Sequence, residues 1–451
     1  MTLGIGKSII REQVMPTVTK ADALSRKLYA GLTHELEAYH GPSFELRLWD
    51  DTGANYGAGN PRFTITVKSL DVLKSLLWDP NEISLGDAFV KGDLEVEGDI
   101  FAMFEFADFV FSRAHGVESP SYARRLVLSA GRAYHHLEYA VGDLFTHSLR
   151  RDREAISFHY DKPPEFFAPW LGPTMVYSCA YFCRNSETLE DAQRNKLDLI
   201  CKKLRLRAGD RMLDIGCGWG SLILHAVKHY GVHATGITLS EQQFAFAQRR
   251  IAQEGLAADC EVRLCDYRQM DSAAPSFDKI SSVGMFEHVG WQNLGTYFNT
   301  VKKLLRPGGT FLNHGIVSSL DEYKKHGPSF IRKYVFPDTA LATLPIVTTQ
   351  AEHAGFELRD VECLREHYER TLHGWVDRLE RCKRELLNYV DPETYRIWRL
   401  YMAGSAEAFR KAKISVYQIL LASPGNDDHL QPTTRADWLL QSTGGQLADA
   451  N

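Results

Sequence analysis

The sequence lacks several features, and each absence narrows its reading. No run among its 451 residues approaches the roughly 18 consecutive apolar residues that a membrane-spanning helix needs. The formal net charge is only −5, so the molecule as a whole has no bulk attraction for nucleic acid or anionic lipid, and no nucleic-acid partner is expected. The stretch 1–20 is broken by Lys7, Arg11, Glu12 and Pro16 and has no compact apolar segment. We therefore expect no export signal and a cytoplasmic protein; Thr2 excludes N-myristoylation. Cysteine is sparse, with eight residues, all from Cys179 onward; in a long chain without an export signal these read as reduced thiols. Cys179 and Cys183 have no matching second Cys/His pair, so no metal site is expected. Repeats and compositionally biased tracts are missing too.

What is present describes a folded α/β protein, 44% hydrophobic and 24% charged, and long enough for more than one core. Residues 44–50 alternate, with Phe44, Leu46 and Leu48 on one face. A glycine-rich stretch follows, then a second alternating run with Phe63, Ile65 and Val67. The two runs predict a hairpin. Leu70, Leu73, Leu76 and Leu77 recur at helical spacing. A turn-rich piece around Gly86, Gly92 and Gly98 leads to a helix carrying Phe101, Phe104, Val110 and Phe111. Residues 1–114 thus read as a small α+β domain whose aromatics form a core or line an acyl groove. A helical connector rich in Arg and His spans 115–155. From 156 to 422 strands and helices alternate, the pattern of a Rossmann-like, doubly wound, mostly parallel sheet. Strands are expected at 211–215, 233–238, 260–265, 279–283 and 310–314, with a helix at 221–230. The polar stretch 423–451 reads as a mobile tail.

The most informative segment is Arg211-Met-Leu-Asp-Ile-Gly-Cys-Gly-Trp-Gly220. An apolar strand ends in Asp214 and turns through Gly216, Gly218 and Gly220 into a helix. Glycine lets the backbone approach a ligand closely, and the helix start offers free N–H groups. Nicotinamide enzymes prefer G-x-G-x-x-G at this place. Here the spacing is G-x-G-x-G behind an acid, which suits the sulfonium and ammonium groups of S-adenosylmethionine better than a pyrophosphate. A dinucleotide site and a tight turn without ligand remain open on this segment alone. The second strand ends in Thr238-Leu-Ser-Glu-Gln-Gln243 and the third in Cys265-Asp-Tyr267. Asp266 can accept from an adenine amino group, and Tyr267 offers an aromatic face.

Further motifs occur in order: His159-Tyr-Asp161, Tyr177-Ser-Cys-Ala-Tyr-Phe182, Gly236-Ile-Thr-Leu-Ser240 and Val283-Gly-Met-Phe-Glu-His-Val-Gly290. Phe330-Ile-Arg-Lys-Tyr-Val-Phe-Pro337, His367-Tyr368 and Thr371-Leu372 with Trp375 follow. With the glycine turn, these resemble the cyclopropane-fatty-acid synthase and mycolic acid cyclopropane synthase family over about 155–422. The resemblance implies a class I methyltransferase that moves a methylene from S-adenosylmethionine to a cis double bond of a phospholipid acyl chain. It implies donor contacts from Tyr177, Ser178, Gly216, Gly218, Thr238, Leu239, Gln243, Asp266 and Tyr267, beside Asp214. It also implies a bicarbonate base held by Cys179, Glu287, His314, the backbone of Ile316 and Tyr368, and a homodimer. Read singly, Cys179 is equally a small buried apolar residue, Glu287 a capping acid, His314 a core histidine, and Tyr368 part of a solvated helix face.

The implied reaction needs a dry channel, electron-rich walls and a base, because attack by an alkene on a sulfonium methyl creates a carbocation. Methyl or methylene branching is the alternative: a hydride shift and proton loss from the same cation would yield a methylene-branched chain. A lipid-binding protein without chemistry is the third alternative. Where the family continues His159-Tyr-Asp161 with a Gly/Ser-Asn turn, this chain has Lys162-Pro-Pro-Glu165, so acceptor preference is expected to differ. Lys324, Lys325, Arg332 and Lys333 surround Phe330, Tyr334 and Phe336. At about 1 kcal/mol per basic residue they would supply about 4 kcal/mol of reversible docking to an anionic surface; the cluster reads equally as a solvated basic loop, and with a phospholipid acceptor a peripheral membrane location is expected.

Overall fold

The computed structural model describes residues 33–34, 36–78, 81–116, 162–270, 277–323, 329–336, 340–425, 434–435 and 438. Most of the 115–155 connector, the His159-Tyr-Asp161 motif, Lys324, Lys325 and most of the tail lie outside them. The described residues divide into two compact units, one within 1–78 and 93–115, the other within 79–92 and 116–451.

The first unit is a four-stranded sheet in the order β2-β1-β3-β4, from β1 (Phe44–Arg47), β2 (Gly53–Tyr56), β3 (Phe63–Val67) and β4 (Leu94–Gly98). The hairpin expectation is corrected in its partner. The glycine-rich stretch itself forms β2, antiparallel to β1, and β3 runs parallel to β1 on the other side. Helix α1 (Leu70–Trp78) follows β3, and a later helix (Ile100–Gly116) follows β4. Phe44 stacks on Phe63 and Tyr56 and meets Phe106 at 4.6 Å, a core reading for the strand aromatics. Phe101, Phe104 and Phe111 are only half-buried.

The turn-rich reading around Gly86 is corrected as well. Helix α2 (Glu82–Lys91) occupies it, started by a capping box between Asn81 and Ser84 and stopped by Gly92 in the left-handed conformation. It belongs to the second unit. Gly86 is required there by packing, since a Cβ would sit 2.6 Å from the Phe330 ring.

The second unit is built on a seven-stranded sheet in the order β10-β11-β9-β8-β5-β6-β7. Strands β5 (Arg211–Ile215), β6 (His233–Thr238), β7 (Cys260–Leu264), β8 (Phe277–Val283) and β9 (Leu305–Ser318) are parallel. β10 (Glu357–Cys363) and β11 (Ile414–Ala422) close one edge, with β11 antiparallel to both neighbours. This is the expected Rossmann-like sheet. Residues Arg306-Pro-Gly-Gly309 form a bulge inside β9. Leu305 pairs with Phe277 and Thr310 with Lys279, so the residues between them loop out and Gly308 takes φ +80°.

With the helix at 100–116 counted as α3, the unit continues through α4 (Pro164–Leu171), α5 (Leu189–Leu204), α6 (Ser221–Tyr230) and α7 (Glu241–Gln253). Then come α8 (Leu294–Leu304), α9 (Phe330–Tyr334), α10 (Leu344–His353), α11 (Arg365–Arg381) and α12 (Pro392–Arg410). The two prolines after Lys162 start α4, with Pro164 at its first position, where a missing N–H costs nothing. Two apolar cores sandwich the sheet. Tyr297, Phe298 and Phe311 centre one; Ile200, Ile223 and Leu312 centre the other. Trp438 of the tail packs against the second, and Arg435 pairs with Asp360 at 2.8 Å.

β5 lies between β6 and β8, so successive connections leave it in opposite directions. Such a switch point opens a crevice at the carboxyl ends of the strands.

Candidate active site

That crevice is a cleft of about 1120 Å³. Buried Met212, Leu213 and Ile215 fix β5 in the sheet, and the strand delivers Asp214 to the floor of the cleft. Gly216, Gly218 and Gly220 all have positive φ, +78°, +53° and +82°, which side-chain-bearing residues rarely adopt. A Cβ on Gly218 would meet no protein atom within 4 Å, so its bare backbone faces open space. The amides of Gly216 and Cys217 are tied to the carbonyl of Ile237 at 2.9 Å. Gly220, the N-cap of α6, brings no capping side chain, which leaves the helix N–H groups to whatever occupies the cleft.

All ten residues expected to contact the donor line this one cleft: Tyr177, Ser178, Asp214, Gly216, Gly218, Thr238, Leu239, Gln243, Asp266 and Tyr267. Asp214 is 2% exposed and accepts from Ser281 Oγ at 2.6 Å. Burial raises its carboxyl to about 6, against the opposing pull of that bond and of Lys196. Thr238 Oγ1 donates to Gln243 Oε1 at 2.8 Å and accepts from Ser240 N at 3.2 Å. Asp266 is held by Arg268, whose Nε and Nη2 reach its two oxygens at 2.9 and 2.7 Å. Tyr267 packs edge-on against Tyr297 at 5.5 Å, which fixes its ring as a wall.

The residues expected around the base fall into two neighbouring groups. Glu287 stands in a single 3-10 turn (Phe286–His288) beyond β8. Its Oε1 accepts the Ile316 amide at 2.8 Å; its Oε2 is buried without a partner. Burial pushes its carboxyl up to about 7. His314, on β9, faces α5. Its Nδ1 lies 3.2 Å from Gln418 Nε2, and its buried Nε2 has no partner. Burial, then Lys196 and Lys203, hold its basicity far below the ordinary histidine range. Cys179 is fully buried, and its thiol donates to the carbonyls of Ala180 and Leu364 at 3.2 and 3.7 Å. Burial raises the thiol well above its usual range, so it is no thiolate nucleophile.

Tyr368 is not on a solvated face. One turn into α11 it packs on Phe409 at 4.7 Å and on Trp375 at 6.1 Å. Trp375 in turn meets Tyr177 and Trp170, and Tyr401 is hydrogen-bonded to Tyr177 and feels the charge of Glu287. Phe336 packs on His288 and Tyr401. Through Tyr177, the donor cleft therefore adjoins an aromatic cluster within electrostatic reach of Glu287.

Comparison with known proteins shows the family. The family described as mycolic acid cyclopropane synthetase matches residues 147–419. The chain belongs to that family. A domain of unknown function matches residues 32–108. A probable fatty acid methyltransferase of Pseudomonas putida is 39% identical over 414 residues, 91% of this chain and 99% of the relative. The cyclopropane-fatty-acyl-phospholipid synthase of Escherichia coli K12 is 33% identical over 368 residues, 81% and 89% of the two chains. A mycolic acid cyclopropane synthase solved with SAH and CTAB superposes with a TM-score of 0.57 at 34% identity, covering 60% of this chain and 97% of that one. The chain is a methyltransferase that uses S-adenosylmethionine, as its Asp214 and glycine turn imply.

Three residues of the site escaped the sequence reading. Arg268 clamps Asp266, Tyr401 bonds Tyr177, and Lys196 lies buried beside Ser178. Only Lys196 left a signal. Ala192, Lys196 and Ile200 share one stripe of α5 at four-residue spacing, which places a lysine on the buried face. Gly315 carries a prediction. A Cβ there would meet the Phe286 ring at 2.0 Å and Glu287 Cδ at 3.2 Å. Gly315→Ala is expected to cost about 1–3 kcal/mol of stability and to lower turnover while donor affinity stays unchanged, read by thermal melts, kinetics and calorimetry.

Proposed function

We propose that the enzyme moves a methylene from S-adenosylmethionine to a cis double bond of phospholipid acyl chains, forming a cyclopropane. The observation that carries this reading is the placement of buried Glu287, with one oxygen unpartnered, beside an aromatic enclosure that opens from the donor cleft. S-adenosylmethionine supplies the methyl group when bound. Asp214 and the bare amides hold its charged end. Tyr177, Trp375, Tyr368 and Tyr401 exclude water and present electron-rich faces to a developing cation. Glu287, raised to about 7, then takes the proton whose loss closes the ring; this is the range in which a base works best near neutral pH.

The bicarbonate implied by the resemblance fits this chain in two atoms, Glu287 Oε2 and His314 Nε2, both buried and without a partner; bound, it would supply a proton acceptor between Cys179, Glu287, His314, Ile316 and Tyr368. Methyl or methylene branching is the second reading, favoured by the Pseudomonas putida relative, a probable fatty acid methyltransferase. Mass spectrometry of lipids from an expressing host separates them. Ring fragments support cyclopropanation; exocyclic-alkene or methyl-branch fragments overturn it in favour of branching.

Among the described residues, no helix is long and apolar enough to cross a membrane. A peripheral position on the inner membrane face suits an acyl acceptor, and the N-terminal unit, with its half-buried Phe101, Phe104 and Phe111, suits lipid contact. Within the basic patch expected to dock the enzyme, one lysine is engaged by an acid. Lys333 Nζ is paired with Asp87 at 2.7 Å, and Phe330 is core. Docking through the other basic residues is expected to weaken as salt is raised. The same reading includes a homodimer, which sedimentation would reveal.

A further inference from the structure

Lys196 is a charged side chain that the mechanism leaves without a task. It is 2% exposed, lines the donor cleft, and makes one hydrogen bond among the described residues, from Nζ to Ser178 Oγ at 2.8 Å. An ammonium beside a site for a sulfonium cation opposes donor binding unless it does something else. Burying one also costs several kcal/mol before compensation. Its surroundings show what it compensates: it lies within electrostatic reach of Asp214 and Cys179, and of His314.

We propose that Lys196 is a positioning residue for the donor: its charge keeps Asp214 ionised inside the protein, and its hydrogen bond fixes Ser178, so that the cleft meets S-adenosylmethionine with a carboxylate rather than a neutral acid. The inference rests on the donor reading of the cleft. Among the described residues, the other groups that interact with Asp214 lack a positive charge. Ser281 from β8 is a neutral donor, Tyr297 from α8 and Cys201 from α5 keep their protons, and Cys217 lies in the glycine turn with its thiol raised by burial. Lys196 is the cation named among them, and it opposes the effect of burial on Asp214. An opposite charge at such range typically lowers a carboxyl by one to three pH units.

The test is the pH dependence of S-adenosylmethionine binding, measured by calorimetry. In the native enzyme, affinity should fall on the acid side as Asp214 takes a proton near 6. Lys196→Met, close in length but uncharged, should move that fall upward by about one pH unit or more, so that binding near pH 5 weakens about tenfold. Above pH 8 the variant should bind as tightly as the native enzyme, because Asp214 is then ionised in both and the native Lys196 ammonium is itself losing its proton. A loss of affinity equal at every pH would overturn the proposal and leave Lys196 a structural residue. Failure of the native enzyme to bind the donor would instead reject the donor site itself. Should Lys196→Met not fold, the reciprocal effect decides. In Asp214→Asn, NMR of ε-13C-labelled lysine should show the Lys196 ammonium titrating lower than its native position of about 8; an unmoved titration would overturn the coupling.

Discussion

Glu287→Gln should lower turnover about 10²- to 10⁴-fold, the usual size of a general-base contribution, with no change in affinity for S-adenosylmethionine. The two effects separate because Glu287 stands beyond the cleft that holds the donor residues. Glutamine keeps the length of the side chain and can still accept the Ile316 amide through its carbonyl, so the fold has no reason to change. The pH profile sharpens the expectation. Burial raises the Glu287 carboxyl to about 7, and a base works only when ionised. Native turnover should therefore fall about tenfold for each pH unit below that value, and this acid limb should vanish in the variant. Unchanged turnover, or an acid limb that survives the substitution, would remove Glu287 from the proton transfer.

Asp214→Asn should weaken donor binding about 10²- to 10³-fold, the loss expected when a buried charge pair is broken at about 3–5 kcal/mol. Asparagine still accepts from Ser281, so the change is one of charge. The apo protein should respond in the other direction. The native carboxyl is raised from its ordinary value of 3.8 to about 6. A group raised in this way favours the folded state below its unfolded value, and that contribution is lost as pH rises through the folded one. Above pH 6 the native protein thus carries the cost of an ionised buried acid, and the variant does not. Thermal melts at pH 7.5 should place the ligand-free variant at or above the native protein, while calorimetry shows the donor nearly lost. Donor affinity within about threefold of native would contradict the assigned role.

Most parallel strands are legible as short apolar runs, although β9 extends well beyond the expected 310–314, to Leu305–Ser318. Arg211–Ile215 and His233–Thr238 were read to the residue, and the glycine turn between β5 and α6 identified the cleft from three residues. Where the reading failed, tertiary contacts outweighed local pattern. Gly53–Tyr56 is rich in turn residues, yet it pairs as a strand because β1 offers it a free edge. Gly86 reads as a loop residue but sits in α2, where the Phe330 ring excludes any side chain. β10 and β11 carry the polar residues Glu357, Arg359, Asp360 and Gln418, which hid their strand character.

The site divides in the same way. Donor residues follow one another along strand ends and could be read in order. Tyr368 could not be assigned its environment, since only the packing of α11 on α12 brings Phe409 and Trp375 to it. Lys196, Tyr401 and Arg268 depend on neighbours far away in the chain or on a carboxylate whose orientation only the fold determines. Charged and aromatic side chains in a helix are read as solvated or core by default, and their functional neighbours appear only in three dimensions.

The most direct measurement uses purified enzyme, methyl-labelled S-adenosylmethionine and phospholipid vesicles that differ only in their acyl chains. Label should enter the acyl chains of cis-unsaturated vesicles and stay out of fully saturated ones. Label absent from both, or found equally in the saturated chains, would contradict transfer to a double bond.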